Sequence, residues 1–319
     1  VRGFHLNTLA STLTTWQEVV EKFLTANDQM KKGNVELMKV WTNTEMGQTW
    51  EEDGETIEDD ELMKRREKYK CEVPEEVLYL TAGVDTQDDR FEIEVVGWGP
   101  EYESWGIRYA AIYGDNSDIN NQVWQDLDTF LLQTFEKPDG TKMKLSCVCI
   151  DSGGHRTNQV YKFCKARFNR RVFAIKGSND SAAAYIQKPS KSNREGAYLF
   201  TLGVDTGKSL LMDRLKLEEE GPGFCHFPKE EGKGYDEKYF KGLTSEKKVM
   251  RYKMGRPYFA WELKDKGEHK RNEALDCRNY ATAAIEIINV PLKKPDKKKD
   301  ATQAKKIVKR GRRRSGGIL

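Results

Sequence analysis

Three aspartates stand out because their residue type and their surroundings suit divalent-metal chemistry. Asp85 ends the apolar run VLYLTAGVD, Asp151 ends LSCVCID, and Asp276 lies in the helical segment EALDCRNYATAAIEII. Mg²⁺ and Mn²⁺ prefer oxygen ligands, and two such ions about 3.5–4 Å apart can polarise a phosphate, activate a water and stabilise a leaving alkoxide. Converging carboxylates from these positions therefore predict a metal-dependent nuclease with two Mg²⁺ or Mn²⁺ ions.

Taken one at a time, the aspartates have ordinary explanations. Asp85 can begin a turn in DTQDD, Asp151 can cap the helix after DSGG, and Asp276 can be a solvated helix residue. These explanations are weaker together than singly, because all three aspartates fall where one fold puts a metal site.

Three further side chains are candidates for substrate contact or a supporting role. His155 follows Asp151 by four residues, where it can touch substrate, assist a water or simply begin a helix. Lys176 ends a predicted strand and can meet a phosphate or remain solvated. Glu273 precedes Asp276 by one turn, so a fourth metal oxygen is one interpretation, while a capping or surface role is favoured.

The chain from residue 74 to about 178 has the pattern of a mixed α/β sheet. The segments VLYLTAGVD, RFEIEVVGWG and ESWGIRYAAIYG are joined by short links and predict an antiparallel meander. A helix then leads to the buried strand LSCVCID, and a second helix leads to the strand RVFAIKG. This order predicts a ribonuclease H-like mixed sheet with a ββαβαβ core flanked by helices.

The last firm element is a helix predicted from about 268 to 288. Its apolar residues recur at helical spacing and form one inward stripe, which consists of Ala274, Cys277, Ala281, Ile285 and Ile288. Asp276 flanks the stripe and can therefore border the core. Before this helix, AYLFTLGVD and GPGFCHFP indicate strands or extended loops, TGKSLLMDRLKLE indicates a helix, and YDEKYFKGLTSEKKV indicates a polar helical insert.

The charge of the chain is divided unevenly between its body and its C-terminal end. Residues 291–319 hold 12 Lys/Arg against 2 Asp/Glu, whereas residues 1–290 hold 42 against 49. The basic tail has too little apolar content to offset the entropy of ordering, so we expect disorder. Nucleic acid or an acidic protein surface is the favoured partner of the tail, and a solubilising role is the alternative.

The remaining composition excludes several classes of protein. No apolar stretch reaches the roughly 20 residues that span a bilayer, and the N-terminus lacks an export signal, which favours a soluble intracellular protein without a membrane partner. The six cysteines show no metal or disulfide spacing and are predicted to be free thiols, mostly buried. Residues 1–73 supply one amphipathic helix from Trp16 and too little apolar surface for an independent core.

Several ordered segments resemble one known family. GVDTQDDRFEIEVVGWGPEYESW, CIDSGGHRTNQVYKFCK, AIKGS and NEALDCRNYATAA, together with FHLNTLAS, WTNTEMGQTWEE and LGVDTGKSLLMDRL, are similar to the nuclease portion of the large terminase subunit, GpA type, of lambda-like tailed phages. The similarity covers roughly residues 4–290. It implies that the family's carboxylate triad falls on Asp85, Asp151 and Asp276.

The resemblance also implies a function and partners. It predicts a ribonuclease H-like endonuclease that cuts concatemeric double-stranded DNA during genome packaging in the host cell cytoplasm. A small terminase subunit and the portal or procapsid are the implied partners of the full-length protein. The implied domains are a connecting segment from a missing ATPase domain at 1–73, a nuclease domain at 74–290, and the tail at 291–319.

One motif departs from what an ATP-driven family member needs. GVDTGKS at 203–209 is one residue short of a phosphate loop, which would require glycine at Leu202, so neither ATPase activity nor a nucleotide cofactor is expected. Two rival functions remain open: a docking module for DNA or portal with a vestigial metal site, and a resolvase- or transposase-type nuclease on the same fold.

Overall fold

The computed structural model describes residues 6–31, 36–48, 57–253, 256–264 and 271–293. The described residues fall into two compact units: a smaller one within Val1–Glu55 and Lys248–Ala260, and a larger one within Thr56–Lys247 and Trp261–Leu319. The helices are α1 Trp16–Lys31, α2 Glu36–Thr44, α3 Asp59–Lys64, α4 Gln122–Leu131, α5 Thr157–Ala166, α6 Val204–Leu215, α7 Glu237–Leu243 and α8 Glu273–Ile288. The strands are β1 Tyr79–Thr86, β2 Arg90–Trp98, β3 Ser104–Tyr113, β4 Phe135–Glu136, β5 Lys142–Met143, β6 Leu145–Asp151, β7 Val172–Gly177, β8 Leu199–Leu202, β9 Cys225–His226, β10 Glu246–Lys253 and β11 Arg256–Leu263.

A seven-stranded mixed sheet forms the centre of the larger unit. Its strand order is β8-β7-β6-β1-β2-β3-β9. β1, β2 and β3 make the predicted antiparallel meander, while β6 runs parallel to both β1 and β7. Parallel neighbours need a long crossover connection, which usually contains a helix, and the connections into β6 and β7 contain α4 and α5. The mixed α/β architecture is confirmed, and with all three strands of the meander counted the core order is βββαβαβ.

The two faces of the sheet are covered by different helices. On one face, α4 and α5 bring Trp124 and Phe163 over Phe91. The ring centroids of Phe91 and Trp124 are 4.7 Å apart, and those of Trp124 and Phe163 are 5.2 Å apart. On the other face, α8 lies against β1 and β2. Ala274, Cys277, Ala281 and Ile285 of the predicted stripe are buried and Ile288 is half-buried, but most other side chains of α8 are buried as well, so burial is not limited to one stripe.

Coverage on both faces changes the environment of β2. Its alternating sequence predicts an apolar side and a polar side, yet Glu92 and Glu94 are also buried. Glu94 is paired with Arg278 of α8 at 2.8 Å and accepts a hydrogen bond from Tyr239 of α7 at 2.8 Å. A buried carboxylate is stable in a sheet only with such partners. The glutamates on the polar face of β2 are therefore part of a buried network of ion pairs and hydrogen bonds with α7 and α8.

Residues 57–73 pack with the larger unit. Leu62 of α3 and Val73 are fully buried there. The smaller unit contains the predicted helix from Trp16, together with α2, which the sequence interpretation did not identify. Within it, the indole of Trp41 donates a hydrogen bond to the carbonyl of Val19 at 3.0 Å, and its ring lies 5.0 Å from that of Phe23.

The segment predicted as a polar helical insert is only half helical. α7 ends at Leu243, and the following residues form β10, which pairs with β11 in a two-stranded sheet. The alternating sequence of β10 contains Val249, which is buried, and this short signal is hard to separate from helical spacing. AYLFTLGVD and GPGFCHFP, predicted as strands or extended loops, contain the short strands β8 and β9.

The C-terminal end of the described chain continues past α8. Leu292 is buried, and its carbonyl accepts a hydrogen bond from the amide of Glu101 at 3.0 Å. Residues 294–319, which contain most of the predicted basic tail, lie outside the described residues. All six cysteines are free, and five of them are buried, as predicted. Among the described helices, none combines the length and the apolar character that a bilayer crossing requires.

Candidate metal centre

Two of the predicted site residues lie on neighbouring parallel strands. Val84 of β1 pairs with Ile150 of β6, so the residues that follow, Asp85 and Asp151, end up side by side at the same edge of the sheet. Residues in register on adjacent strands project from the same face. The hydroxyl of Thr86 donates to the Asp151 carbonyl at 2.9 Å and ties the two strand ends together.

The third aspartate reaches this edge because α8 lies directly on β1. At Gly83 the two backbones touch: a Cβ added there would lie 2.0 Å from the Cys277 carbonyl oxygen and 2.5 Å from the Ala281 nitrogen. Asp276 precedes Cys277 and therefore sits near the strand end that carries Asp85. Glycine is required at this crossing because any side chain would separate the helix from the strand.

The electrostatics of the three aspartates reflect their proximity. Burial raises the pKa of Asp85 well above its usual value, and the charges of Asp276 and Asp151 raise it further. Burial also raises the pKa of Asp151 to about 6, although the Gly153 amide opposes the shift. A divalent cation would relieve both the desolvation and the mutual repulsion, so these residues fit the metal that the sequence predicts.

The structure also limits how tightly the aspartates are gathered. Among the described residues, potential metal-ligand atoms of Glu67, Glu220 and His226 all lie within 4.8 Å of one another. The ligand atoms of the three aspartates do not form such a group. Repulsion between like charges opposes a closer approach of the three carboxylates. Two ions about 3.5–4 Å apart need a wider set of ligands than one ion does, and the spread of the aspartates is compatible with that.

The sequence interpretation missed two residues that hold Asp276. The ammonium of Lys208 lies 2.8 Å from both oxygens of Glu246 and 3.1 Å from Oδ1 of Asp276. The amide of Asn272 donates to Oε1 of Glu246 and to Oδ2 of Asp276, each at 2.9 Å. Both oxygens of Asp276 are thus oriented by positive or donor groups.

Lys208 belongs to the GVDTGKS segment, whose resemblance to a phosphate loop was the only signal that pointed to it. It lies in α6 and is buried, and its ammonium is already paired with carboxylates. Burial alone would lower its pKa, but the charges of Asp276 and Glu246 outweigh burial and raise it. Lys208 is therefore a fixed cation of the candidate centre. Glu246 carried no sequence signal, because it lies in a segment predicted as a polar helix.

Glu273 does not have the capping or surface role that the sequence favoured. It is buried, and its carboxylate accepts from Arg90 at 2.6 Å, so it is neither a surface group nor a helix cap. Arg90 in turn donates to Glu92 at 2.7 Å. The charge of Glu273 still contributes to the raised pKa values of Asp85 and Asp276, which places it beside the aspartates. A metal role for Glu273 would compete with its pairing to Arg90.

The remaining two candidates are exposed at the same edge. His155 lies in the turn between β6 and α5, with Nδ1 3.1 Å from a carboxylate oxygen of Asp88. Lys176 lies in β7, one residue beyond the partner of Asp151, and its charge opposes the raised pKa of that aspartate. Both side chains are accessible to a substrate that approaches the aspartates.

Comparison with known proteins gives consistent matches. The family described as terminase large subunit gpA, endonuclease domain, matches residues 1–298. The terminase large subunit of Escherichia phage lambda is 37% identical over 290 residues, and that of Enterobacteria phage P21 is 33% identical over 290 residues. In both cases 89% of this chain is aligned, and the chain spans 43% of the relative's length.

A solved structure is also similar. It is a mutant nuclease domain of the large terminase subunit gp2 of bacterial virus Sf6, with manganese. The match covers 70% of this chain and 96% of that one, with 17% sequence identity and a TM-score of 0.44.

Proposed function

The chain belongs to the terminase large subunit gpA endonuclease-domain family, and from this membership we propose that it is an endonuclease that cuts concatemeric double-stranded DNA during viral genome packaging. The observation that carries the proposal is the meeting of Asp85, Asp151 and Asp276 at one edge of the sheet. Burial raises the pKa of each, and the charges of neighbouring carboxylates raise it further. A buried acidic cluster of this kind suits hard divalent cations over a phosphodiester.

The three aspartates are the proposed ligands of two Mg²⁺ or Mn²⁺ ions. When bound, such ions supply Lewis-acid polarisation of the phosphate and acidify a water. The chain's own residues fix the geometry: β1 and β6 present Asp85 and Asp151 from adjacent positions, and Lys208 orients Asp276 through Oδ1. Orientation of this kind is needed because small displacements of a catalytic ligand cost large factors in rate.

Two exposed groups are proposed to act on the substrate. Lys176, beside Asp151, meets a non-bridging phosphate oxygen of the scissile strand. His155, held by Asp88, contacts the substrate or accepts a proton from the attacking water. Phosphate contacts carry little base information, so cleavage is expected to be largely independent of sequence.

The wider assembly is part of the same proposal. The relatives are more than twice as long as this chain, so residues 1–73 are proposed to connect the nuclease to an ATPase domain. The small terminase subunit and the portal or procapsid are the proposed partners, and the host cell cytoplasm is the proposed location. The basic residues of 291–319 are proposed to contact DNA or the portal.

The proposal is tested by replacing single carboxylates with amides of the same size. Asp85→Asn and Asp151→Asn should each abolish Mg²⁺- or Mn²⁺-dependent nicking of supercoiled plasmid, because an amide is a poor ligand for a hard cation. Circular dichroism should stay unchanged, and melting should stay the same or rise, since each change removes a repelling charge.

Asp139→Asn is the matched control. Asp139 is exposed in the turn between β4 and β5, and its carboxylate accepts from the Thr141 amide. This variant should nick plasmid at the parental rate. Substantial cleavage by both purified site variants would reject the assigned roles.

A further inference from the structure

A buried histidine lies on β9 at one edge of the sheet, away from β1, β6 and α8, which carry the three aspartates. His226 pairs in register with Trp105 of β3, and the two rings stack with centroids 4.8 Å apart and planes 3° apart. Phe224 packs edge-on against the same imidazole at 4.7 Å. Only 6% of His226 is exposed, so its ring orientation is fixed.

Both ring nitrogens of His226 face carboxylates. Nδ1 lies 2.6 Å from Oε1 of Glu67, and Nε2 lies 3.1 Å from Oε1 of Glu103. A neutral imidazole carries one N–H, so it can donate to only one of the two. The other nitrogen then points a lone pair at an oxygen lone pair. The contact needs either a second proton, carried by the ring or by the carboxyl group, or a metal ion.

A third carboxylate favours the metal. Ligand atoms of Glu67, Glu220 and His226 all lie within 4.8 Å of one another. One imidazolium among Glu67, Glu103 and Glu220 would leave two negative charges uncompensated within the cluster, whereas a divalent cation beside a neutral imidazole leaves one. Neutralising more of the carboxylate charge stabilises the cluster most next to the buried histidine, because charges interact more strongly where water is excluded.

The backbone holds these groups near one another. The Glu67 amide donates to the Phe227 carbonyl at 3.0 Å, and the Glu67 carbonyl accepts from the Lys229 amide at 2.7 Å. Glu220 precedes Gly221, whose φ of +135° favours glycine, and the Phe224 amide closes this turn onto the Gly221 carbonyl at 3.0 Å. Two separate stretches of chain thus present carboxylates to the ring.

We propose that Glu67, Glu220 and His226 form a zinc site, with Nδ1 as the nitrogen ligand and Glu103 orienting the ring through Nε2. Zinc accepts histidine nitrogen and carboxylate oxygen at about 2.0–2.2 Å, and imidazole ligands favour zinc over magnesium. A carboxylate on the second nitrogen of a metal-bound histidine is the usual supporting arrangement. The metal would link Glu67, which precedes β1, and Glu220, which follows α6, to His226 on β9 at the edge of the sheet.

The site requires little rearrangement. Ligand atoms around a tetrahedral zinc are about 3.4 Å apart, so Glu67 has to retreat from Nδ1 by under about 1 Å. Its side chain is 40% exposed and Glu220 is exposed, so both carboxylates are able to adjust. The proposal does not depend on the proposed nuclease activity, because it involves none of the aspartates.

Zinc binding to chelator-treated protein that carries Asp85→Asn tests the site with the aspartate centre impaired, and the ligand variants below separate binding at His226 from binding at Asp151 or Asp276. Calorimetry should give about one equivalent of zinc, and melting should rise, because binding to the folded state alone stabilises it. Glu220→Gln should weaken zinc binding at least about tenfold, and Glu103→Gln by about 10- to 100-fold. Glu219→Gln, the exposed neighbour with the same change of charge, should bind as the parent does.

His226→Gln should abolish binding, and Glu220→Gln covers the case in which that variant does not fold. The proposal is overturned if zinc does not bind up to about 100 µM. It is equally overturned if Glu220→Gln binds zinc as Glu219→Gln does, or if nuclear magnetic resonance finds His226 doubly protonated in the presence of saturating zinc.

Discussion

At the scale of single residues, the candidate centre depends on one buried cation as much as on its carboxylates. Lys208 and Glu246 are each 7% exposed and lie 2.8 Å apart, and Oδ1 of Asp276 lies 3.1 Å from the same ammonium. Removal of one member of a buried ion pair leaves its partner charged and unsolvated, which typically costs about 3–5 kcal/mol. Lys208 therefore supports the fold as well as the orientation of Asp276.

Lys208→Met should lower the free energy of unfolding of the metal-free protein by about 3 kcal/mol or more, measured by urea denaturation. The loss has a defined pH dependence. The ammonium opposes the raised pKa of Asp276, so without it that pKa rises further above its unfolded value. Folding then takes up protons, and the loss of stability grows as the pH increases. A loss that is equal at pH 5 and pH 8 would contradict this account.

Lys241→Met is the control for loss of a lysine charge. Lys241 pairs with Glu237 one turn earlier on α7, but both side chains are 62% exposed. Water screens such a pair, so the urea midpoint should stay close to that of the parent. A comparable destabilisation in both variants would mean that burial of Lys208 is not the cause.

The candidate residues that the sequence predicted were recognised by their position on a predicted strand or helix. Asp85 and Asp151 were identifiable because they close apolar runs that form buried strands, and Asp276 because it flanks an apolar helical stripe. Glu246 could not be found in this way, because it meets Lys208 only through the tertiary arrangement of β10 and α6. Asn272 lies one turn before Asp276 and donates to it, but no pattern in the sequence singled it out.

At the scale of elements, the crossing of α8 over β1 brings the third carboxylate to the other two. The hydrophobic patterns predicted the meander, β6, β7 and α8, since each has a clear period of 2 or 3.6 or a continuous apolar run. The buried polar face of β2 was not predictable, because alternation normally indicates one solvated face. Arg278 and the tyrosines of the α7 region compensate Glu94 from far away in sequence.

Gly83→Ala tests the crossing. The new Cβ would lie 2.0 Å from a backbone oxygen of α8, so helix or strand must move. Overpacking typically lowers the free energy of unfolding by about 1–3 kcal/mol. Because the new Cβ would meet backbone atoms, we expect a loss at or above the upper end of that range. Its melting temperature should fall, and the stabilisation that Mn²⁺ gives the parent should shrink, because Asp276 is displaced from Asp85.

Gly154→Ala provides the comparison for the same change of residue. A Cβ at Gly154 would come no closer than 4.0 Å to its nearest neighbour, the Thr86 carbonyl oxygen. Its thermal stability should match that of the parent. If Gly83→Ala were equally well tolerated and kept the full Mn²⁺ effect, close packing of α8 on β1 would not position the site.

At the scale of the whole molecule, the chain combines an acidic body with a basic end. Residues 294–319 contain 11 Lys/Arg and 2 Asp/Glu, whereas the body carries a net negative charge. DNA binding through such a tail releases counterions and weakens steeply with salt. The acidic body brings only a few positive groups, such as Lys176, to the candidate centre.

Deletion of 294–319 should weaken DNA binding at low salt. The slope of the logarithm of the binding constant against the logarithm of the salt concentration should become less negative, by about 0.9 for each phosphate that the tail no longer neutralises. Cleavage at saturating DNA should persist, because the aspartates and Lys208 remain. This truncation keeps Leu292, which is buried. A parent chain that binds DNA only through 294–319 and does not cleave it would instead favour the docking module over the nuclease.

The central claim is that Asp85, Asp151 and Asp276 jointly bind the catalytic cations. Anomalous diffraction from crystals of this protein soaked in Mn²⁺ tests it most directly. The account predicts two manganese peaks about 3.5–4 Å apart, each contacting at least one of the three carboxylates. Saturating Mn²⁺ that leaves no peak among these carboxylates would contradict it.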